Sequence, residues 1–539
     1  MKELALDAPK GRWFAAEPVD LSDRRLWIAA AAILLFSLAQ RLYFYSGFYG
    51  SDEVTYLAAA VRALNGDLSP TTYIGAIRYG FQLPVTGLMF VFGQSEAVAN
   101  LWTLICSLAE VVSLVLIGNF IVGFRAAVLG GLLLGTLPLH VHYAGRLMAD
   151  PPLAFFMTAT FLLFWLGQRR GQSGLFFLAG LASGCVFWIK ESTIIFLLVF
   201  LTYPVFFRRW NWRWAWMVCG FLLVFGGNLI FFWRIAGDPF YVFGIMKGAA
   251  SIYTGADPRL VSLADAPQFY LTYLFAKPFH TWLVGYLALG GLIACSAGRK
   301  DGCRDTHAVG FVLWWAAGML AVFSLFPVAL HPFKLIMKQV NYMLMFLAPL
   351  ALLGGVALAG LRRRTLVPAL GLIVVPAAIL SAMEKNVVEI FTANSQATVG
   401  FAKAHPGVTV HGAIGAQRAA VFDALVDPRG EHVRIADMNG PIEAVGREGG
   451  AYVVVDTETA AWGYKKAWRP ESIPRCWVSD GVLDARPDLA LPAVFAGFRR
   501  VAQWMPGSLG GKVVQHIDAL TVQKPALLFR VPAGGCGGQ

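Results

Sequence analysis

The 539-residue chain reads as a polytopic α-helical membrane protein of about eleven transmembrane helices, with a small α/β domain at its C-terminal end. Three observations carry that reading. Hydrophobic residues make up 57% of the sequence and charged residues only 14%, where a soluble domain carries about 25% charge. Apolar runs approaching the length that crosses a bilayer recur as far as residue 383. Beyond residue 384 the composition turns polar, with short strand-like runs in place of long apolar ones. The 40 Phe, 17 Trp and 16 Tyr exclude a disordered chain.

Spans are expected at 27–45, 98–118, 126–142, 152–167, 175–189, 192–207, 214–234, 282–297, 309–327, 341–360 and 365–383. Basic residues test the count. They cluster at Arg24-Arg25, Arg125, Arg169-Arg170, Arg208-Arg209 with Arg213, Arg299-Lys300 with Arg304, and Arg362-Arg363-Arg364. Every cluster falls in every second connection, as eleven alternating spans with a cytoplasmic N-terminus require. Adding or omitting one span would move the later clusters to the wrong side. The expected location is the cytoplasmic (inner) membrane, with the C-terminal domain periplasmic. Ser37-Leu38-Ala39 has the small residues of a signal-peptidase site, but the segment ahead of the apolar run is longer than a signal peptide's, so the first span is expected to remain.

Two long connections face outward, 46–97 and 235–281. Within the first, Pro84–Phe92 is apolar but short for a crossing, and suits an interfacial or re-entrant position. The transmembrane part is expected to span 1–383 and the soluble domain 384–539. In the latter, Val408–Val410, Val433–Ile435 and Tyr452–Val455 read as buried strands, with a helical pattern at Ala419–Leu425. Cys476 and Cys536 lie in this domain, and an oxidising compartment permits either a disulfide or two free thiols.

The net charge of +12 is topological, since no basic-plus-aromatic nucleic-acid module is present and the clusters line inner loops. The polar residues left on the outer side are the chemical candidates. They are Ser51-Asp52-Glu53, Arg78, Arg146 and Asp150, Lys190-Glu191, and Lys334 with Lys338 beside His331. Ionisable groups near the membrane core are costly and default to functional readings, and carboxylates mixed with cations suit an anionic lipid substrate. Each has a plainer reading. Asp52 and Asp150 could cap helices, Glu53 could complement a helix dipole, Arg146 and Asp150 could pair, and Lys190 could snorkel. The aromatic runs Tyr43–Tyr49 and Trp210–Trp216 read as interfacial belts, and Gly130-Gly131 and Gly226-Gly227 as helix-packing points.

These residues carry a family resemblance. Ser51-Asp52-Glu53-Val54-Thr55-Tyr56 resembles the Asp-Glu-x-x-Tyr motif that opens the first outer loop of bacterial GT-C glycosyltransferases of the protein O-mannosyltransferase-like and aminoarabinose-transferase-like kind. Leu83-Pro84, Phe92-Gly93-Gln94-Ser95-Glu96, Gly145-Arg146-Leu147-Met148-Ala149-Asp150-Pro151 and Gly180–Lys190 resemble its later motifs, in order, across residues 40–205. The resemblance implies a GT-C-like fold. It also implies transfer of a sugar from a polyprenyl-phosphate-linked donor to a glycan, lipid or protein acceptor at the outer face, with inversion. Asp52, Glu53 and Asp150 become the catalytic candidates, with Arg78, Arg146, Lys190, Lys334 and Lys338 binding substrate. The aminoarabinose-transferase branch carries Glu-Lys ahead of the loop proline, where this chain reads Phe81-Gln82-Leu83-Pro84. That departure argues against copying that branch's metal site or its lipid A substrate. His140, His142, His280 and His331 follow no metal-ligand pattern. No cofactor is expected to be required, although a divalent metal stays open. A multi-pass transporter, or a non-catalytic subunit with an outer binding domain, are the competing classes.

Overall fold

The structure is a computed structural model describing residues 22–255, 266–296, 306–331, 333–438, 442–445, 449–456 and 470–534. All eleven expected spans coincide with helices. Among the described residues seven helices are long and apolar enough to cross a membrane: Arg24–Tyr43 (α1), Glu96–Val122 (α4), Asp150–Arg170 (α7), Trp212–Ala236, His307–Leu325, Val340–Ala359 and Arg363–Ala404. An eighth is broken into Phe124–Thr136 (α5) and Pro138–Ala144 (α6), bent by 61°. The remaining three fall on shorter apolar helices, Ser173–Ile189 (α8), Glu191–Phe207 and Val284–Ser296.

Basic connections lie against one another in two pairs, and the expected cluster at Arg299-Lys300 with Arg304 lies outside the described residues. Arg125 donates to the Leu361 carbonyl at 2.6 Å, beside the Arg362–Arg364 run, and the Arg213 guanidinium lies against Gly171. Small residues let the helices approach. A Cβ added at Gly180 would stand 2.0 Å from the Met217 carbonyl oxygen, and one at Gly355 would stand 2.2 Å from that of Ala126. Gly226 and Gly227 face open space instead, so the packing role expected of them belongs to Gly180 and Gly220. Gly130 and Gly131 do serve as contact points, against Ala351 and Val115.

The first long connection folds into Asp52–Leu64 (α2) and Tyr79–Phe92 (α3), with a short 3-10 turn at Ile74–Ile77 between them. Of the Tyr43–Tyr49 run, only Tyr43 is left exposed as a belt residue. Tyr45 bonds Glu96, Phe48 packs on Phe422 and Tyr49 stacks on Phe391, because the loop is covered by the C-terminal part of the chain.

Helix Arg363–Ala404 runs without interruption through residue 384 into that C-terminal part. A β-hairpin, β1 (Pro327–Leu330) and β2 (Phe333–Leu335), precedes it. The C-terminal sheet has order β4-β3-β5-β7-β6, from Val410–His411 (β3), Ile435–Ala436 (β4), Tyr452–Val455 (β5), Val478–Leu483 (β6) and Ala526–Arg530 (β7). The three expected strands are the parallel β4-β3-β5 half, and helix Ile414–Val426 covers the expected helical stretch. The antiparallel β7 and β6 complete it. Cys476 is disulfide-bonded, as is Cys295 at the end of helix Val284–Ser296. Cys536 lies outside the described residues.

Candidate functional site

The sequence candidates from four separate segments come together at the starts of α2, α3 and α7 and the end of α8, with helix Ile414–Val426 packed against α2. Asp52 is the first residue of α2, half-buried, following Ser51 at the cap position. The Ser51 side chain makes no capping bond, and among the described residues no hydrogen bond or ion pair engages the Asp52 carboxylate. The capping reading of Asp52 therefore has no contact behind it. Burial pushes its carboxyl above the ordinary carboxylate range. The Arg78 guanidinium opposes that shift, Glu53 adds to it, Lys190 opposes and Asp150 adds.

Glu53, one residue on, is fully engaged and 1% exposed. Its carboxylate accepts from the Tyr49 and Ser51 amides at 3.1 and 3.0 Å and from Arg146 Nη2 at 3.0 Å. Gly50, at φ +86°, lets the chain curl around that carboxylate. The Arg146 guanidinium also lies over the Tyr49 ring at 4.5 Å and near His142 Nε2 at 3.3 Å. The plainer reading in which Arg146 pairs with Asp150 gives way to two crossed pairs, Arg146 with Glu53 and Lys190 with Asp150.

Asp150 opens α7, and Pro151 and Pro152 suit the first helical turn because their missing amide donors are not needed there. Its carboxylate accepts from Lys190 Nζ at 3.3 Å, and the ammonium lies 4.1 Å from the centre of the Tyr342 ring. Lys190 ends α8 in extended geometry and is buried rather than snorkelling. Burial is the largest influence and works against its charge, but the Asp150 carboxylate together with the Tyr342 and Tyr56 side chains outweighs it, so the ammonium stays protonated.

Arg78, at the foot of α3, donates to the Tyr56 hydroxyl and lies 3.8 Å from Glu191. Gln82, which stands near the family's Glu-Lys, is buried and donates to the Gly75 carbonyl at 2.8 Å. Arg78 Nε, Arg146 Nε and Glu191 Oε1 are buried without a hydrogen bond among the described residues, so the site keeps unmet donors and an acceptor. Lys334 lies on β2, and Lys338, buried, donates to the Ile336 carbonyl at 3.2 Å. The charges that act most on Asp52 are those of Arg78, Glu53, Lys190 and Asp150. His280 pairs with Glu384, and His331 is exposed. Among the described residues no group of three or more His, Cys, Asp or Glu is arranged around a metal position.

Beyond the outer-side candidates, the structure buries a polar and ionisable network inside the bundle. Arg41 of α1 donates to Ser107 Oγ at 3.0 Å, to the Gly135 carbonyl at 3.1 Å and to His140 Nδ1 at 2.6 Å. His140 Nε2 lies 3.1 Å from Glu110, which also accepts from Thr158 at 2.7 Å. The available signal was a charge within each of two apolar runs, at Arg41 and Glu110.

Residues 82–231 match the family model described as dolichyl-phosphate-mannose-protein mannosyltransferase. The fold is similar to that of ArnT from Cupriavidus metallidurans, in its apo crystal structure and in the one bound to undecaprenyl phosphate. For each the TM-score is 0.52 and the identity 16%, over 81% of this chain and 93% of that one. The arabinofuranosyltransferase AftD from mycobacteria is similar at a TM-score of 0.46 and 15% identity, over 95% of this chain and 40% of that one. No curated protein sequence matches the chain. The fold is GT-C-like and membrane-embedded, as the motif order implied.

Proposed function

We propose that the chain is an integral-membrane glycosyltransferase that moves a sugar from a polyprenyl-phosphate-linked donor to an acceptor hydroxyl at the outer face of the cytoplasmic membrane. The observation that carries this reading is Asp52. It is a half-buried carboxylate with a raised proton affinity and no bonded partner among the described residues, within electrostatic reach of Arg78 and Lys190. The undecaprenyl phosphate bound to ArnT, which shares the fold, supports a lipid-phosphate donor.

In the proposed step Asp52 takes the acceptor's hydroxyl proton as the acceptor oxygen bonds to the anomeric carbon. The bond from that carbon to the lipid phosphate breaks, and its electron pair leaves on the phosphate oxygen. Lys190 and Arg78 stabilise the departing charge, and configuration inverts. Asp150 orients Lys190, and the Glu53–Arg146 pair holds the loop that presents Asp52. No metal is assigned a role. The basic connections face the cytoplasm, residues 1–383 form the catalytic membrane part, and 384–539 cover the site from outside.

Purified polyprenyl-phosphate sugars offered to the full-length wild type and to Asp52→Asn test the reading, with transfer followed by mass spectrometry. Transfer by the wild type and its loss in Asp52→Asn are expected. Undiminished transfer by the variant removes Asp52 from the base role, and no turnover of any such donor by the wild type overturns the proposal.

A further inference from the structure

The C-terminal part contains two helices that the catalytic reading leaves unused, Pro492–Gln503 and Gly507–Ala519, packed against each other as a hairpin. Phe495, Ala502, Ile517 and Leu520 form its buried side. They share one apolar cluster with Phe44 at the end of α1 and Ala382 of the long helix Arg363–Ala404, and Ala378, Ile379 and Met383 pack against it. Residues 378, 379, 382 and 383 belong to the last expected span, 365–383. The hairpin is therefore seated at the depth where that span leaves the hydrocarbon.

Six further apolar residues of the hairpin are exposed, while Val513 and Val514 pack against the cluster. Val494, Phe498 and Val501 recur at i, i+4 and i+7, so they form one stripe along the first helix. Trp504, Met505 and Leu509 carry the stripe through the turn, with Trp504 87% exposed. At about 100° per residue this stripe borders the buried Phe495 and Ala502, while Arg499, Arg500 and Gln503 point the other way. The apolar face is thus wider than the protein surface that covers part of it. Outside the patch, on the same long helix, Leu372 and Val375 are exposed within the span, and Leu42 and Tyr43 are exposed at the end of α1.

We propose that this hairpin is an interfacial anchor, with Val494, Phe498, Val501, Trp504, Met505 and Leu509 lying in the boundary between acyl chains and headgroups of the bilayer. Three features select lipid over a protein partner. The patch is seated on a spanning helix, it sits at the depth where lipid-facing residues of the same helix begin, and a basic face lies opposite it. A tryptophan at the tip is the residue type enriched at that boundary. The anchor fixes the height of the C-terminal sheet above the membrane whatever reaction the molecule performs.

The test uses the full chain in nanodiscs of phosphatidylethanolamine and phosphatidylglycerol, with benzoylphenylalanine introduced singly at positions 498, 501 and 504. Positions 500 and 503 on the polar face serve as references. Because the Trp504 side chain is almost wholly exposed, its replacement does not disturb the packed side. After irradiation, lipid adducts at 498, 501 and 504 are expected at roughly tenfold the reference level. Adducts no more frequent than at 500 and 503, or crosslinks to a second protein chain in their place, overturn the proposal. The readout is independent of glycosyl transfer, so its failure is distinguishable from failure of the catalytic reading.

Discussion

Glu53 Oε1 accepts from Arg146 Nη2 at 3.0 Å, and through this contact the first long connection is fastened to the loop ahead of α7. Both side chains are buried, and the same carboxylate takes the Tyr49 and Ser51 amides. Removing one member leaves a buried charge uncompensated, which costs about 3 to 5 kcal/mol. Glu53→Ala and Arg146→Ala should each lower the melting temperature of the protein in nanodiscs. Because both remove one shared interaction, the double variant should lose clearly less than their sum. Additive losses would show that the pair is not what holds the loop.

Asp52 leads to the opposite expectation for stability. Its carboxyl binds a proton more tightly folded than unfolded, because burial raises its affinity. The stability linked to that proton is present below the unfolded value and is lost as pH rises through the folded one. Asp52→Asn imitates the protonated form, so at pH 7 to 8 it should melt no lower than the wild type, while transfer falls by about 10² to 10⁴. As a base Asp52 must be ionised, so wild-type kcat/KM should decline on the acid side at a higher pH than an ordinary aspartate would give. A flat acid limb, or a melting temperature clearly below wild type, contradicts the assignment.

Much of this was legible in the sequence, for physical reasons. Spans showed because a bilayer demands apolar runs. Asp52, Asp150 and Lys190 were found as charges beside those runs. Their partners were not, because pairing is a matter of three-dimensional contact. Arg146 and Asp150, four residues apart, suggested a local pair, but the chain uses Glu53 and Lys190 instead. Strand β6 was missed because Val478–Leu483 is mostly exposed and interrupted by Asp480-Gly481, so it lacks an alternating pattern. The stripe at Val494, Phe498 and Val501 did carry helical periodicity and was readable.

Lys190 has two tasks that can be separated. It neutralises Asp150 at 3.3 Å, and under the proposed mechanism it meets the leaving phosphate. Lys190→Met should both destabilise the fold and abolish transfer. Adding Asp150→Asn removes the stranded carboxylate, so most of the lost melting temperature should return while transfer does not. Recovery of transfer together with stability would reduce Lys190 to a structural cation.

Arg418, from helix Ile414–Val426, donates to the Gly50 carbonyl at 2.7 Å. Gly50 lies between the two residues whose amides grip Glu53, and two residues before Asp52. The C-terminal part thereby holds the turn that presents the proposed base. A charged hydrogen bond of this kind is worth about 1.5 to 3 kcal/mol, so Arg418→Ala should lower kcat by about tenfold or more. KM for the lipid donor should change little, since Arg418 contacts the turn rather than the groups proposed to hold phosphate. Arg418→Lys, which keeps a donor, should recover part of kcat. A loss confined to KM would place Arg418 in donor binding instead.

The network of Arg41, His140 and Glu110 supports the break between α5 and α6. Pro138 has no amide to continue the helix, and the Leu139 amide turns to the His280 carbonyl at 2.9 Å. The Gly135 carbonyl, which would have received Leu139, accepts from Arg41 instead. Arg41 also donates to His140 Nδ1, so the proton of the neutral ring sits on Nε2 and is directed at Glu110. Charge on α1 is thus balanced by charge on α4 through a side chain of α6, in a place water does not reach. Arg41→Ala and Glu110→Ala should each cost about 3 to 5 kcal/mol, because each strands the other ion. If the two ions stabilise one another through His140, the double variant should fall short of the sum by at least about 1 kcal/mol. Thermal unfolding of the four forms in nanodiscs gives that difference directly. Strict additivity would mean that Arg41 only caps the broken helix and that Glu110 is balanced elsewhere.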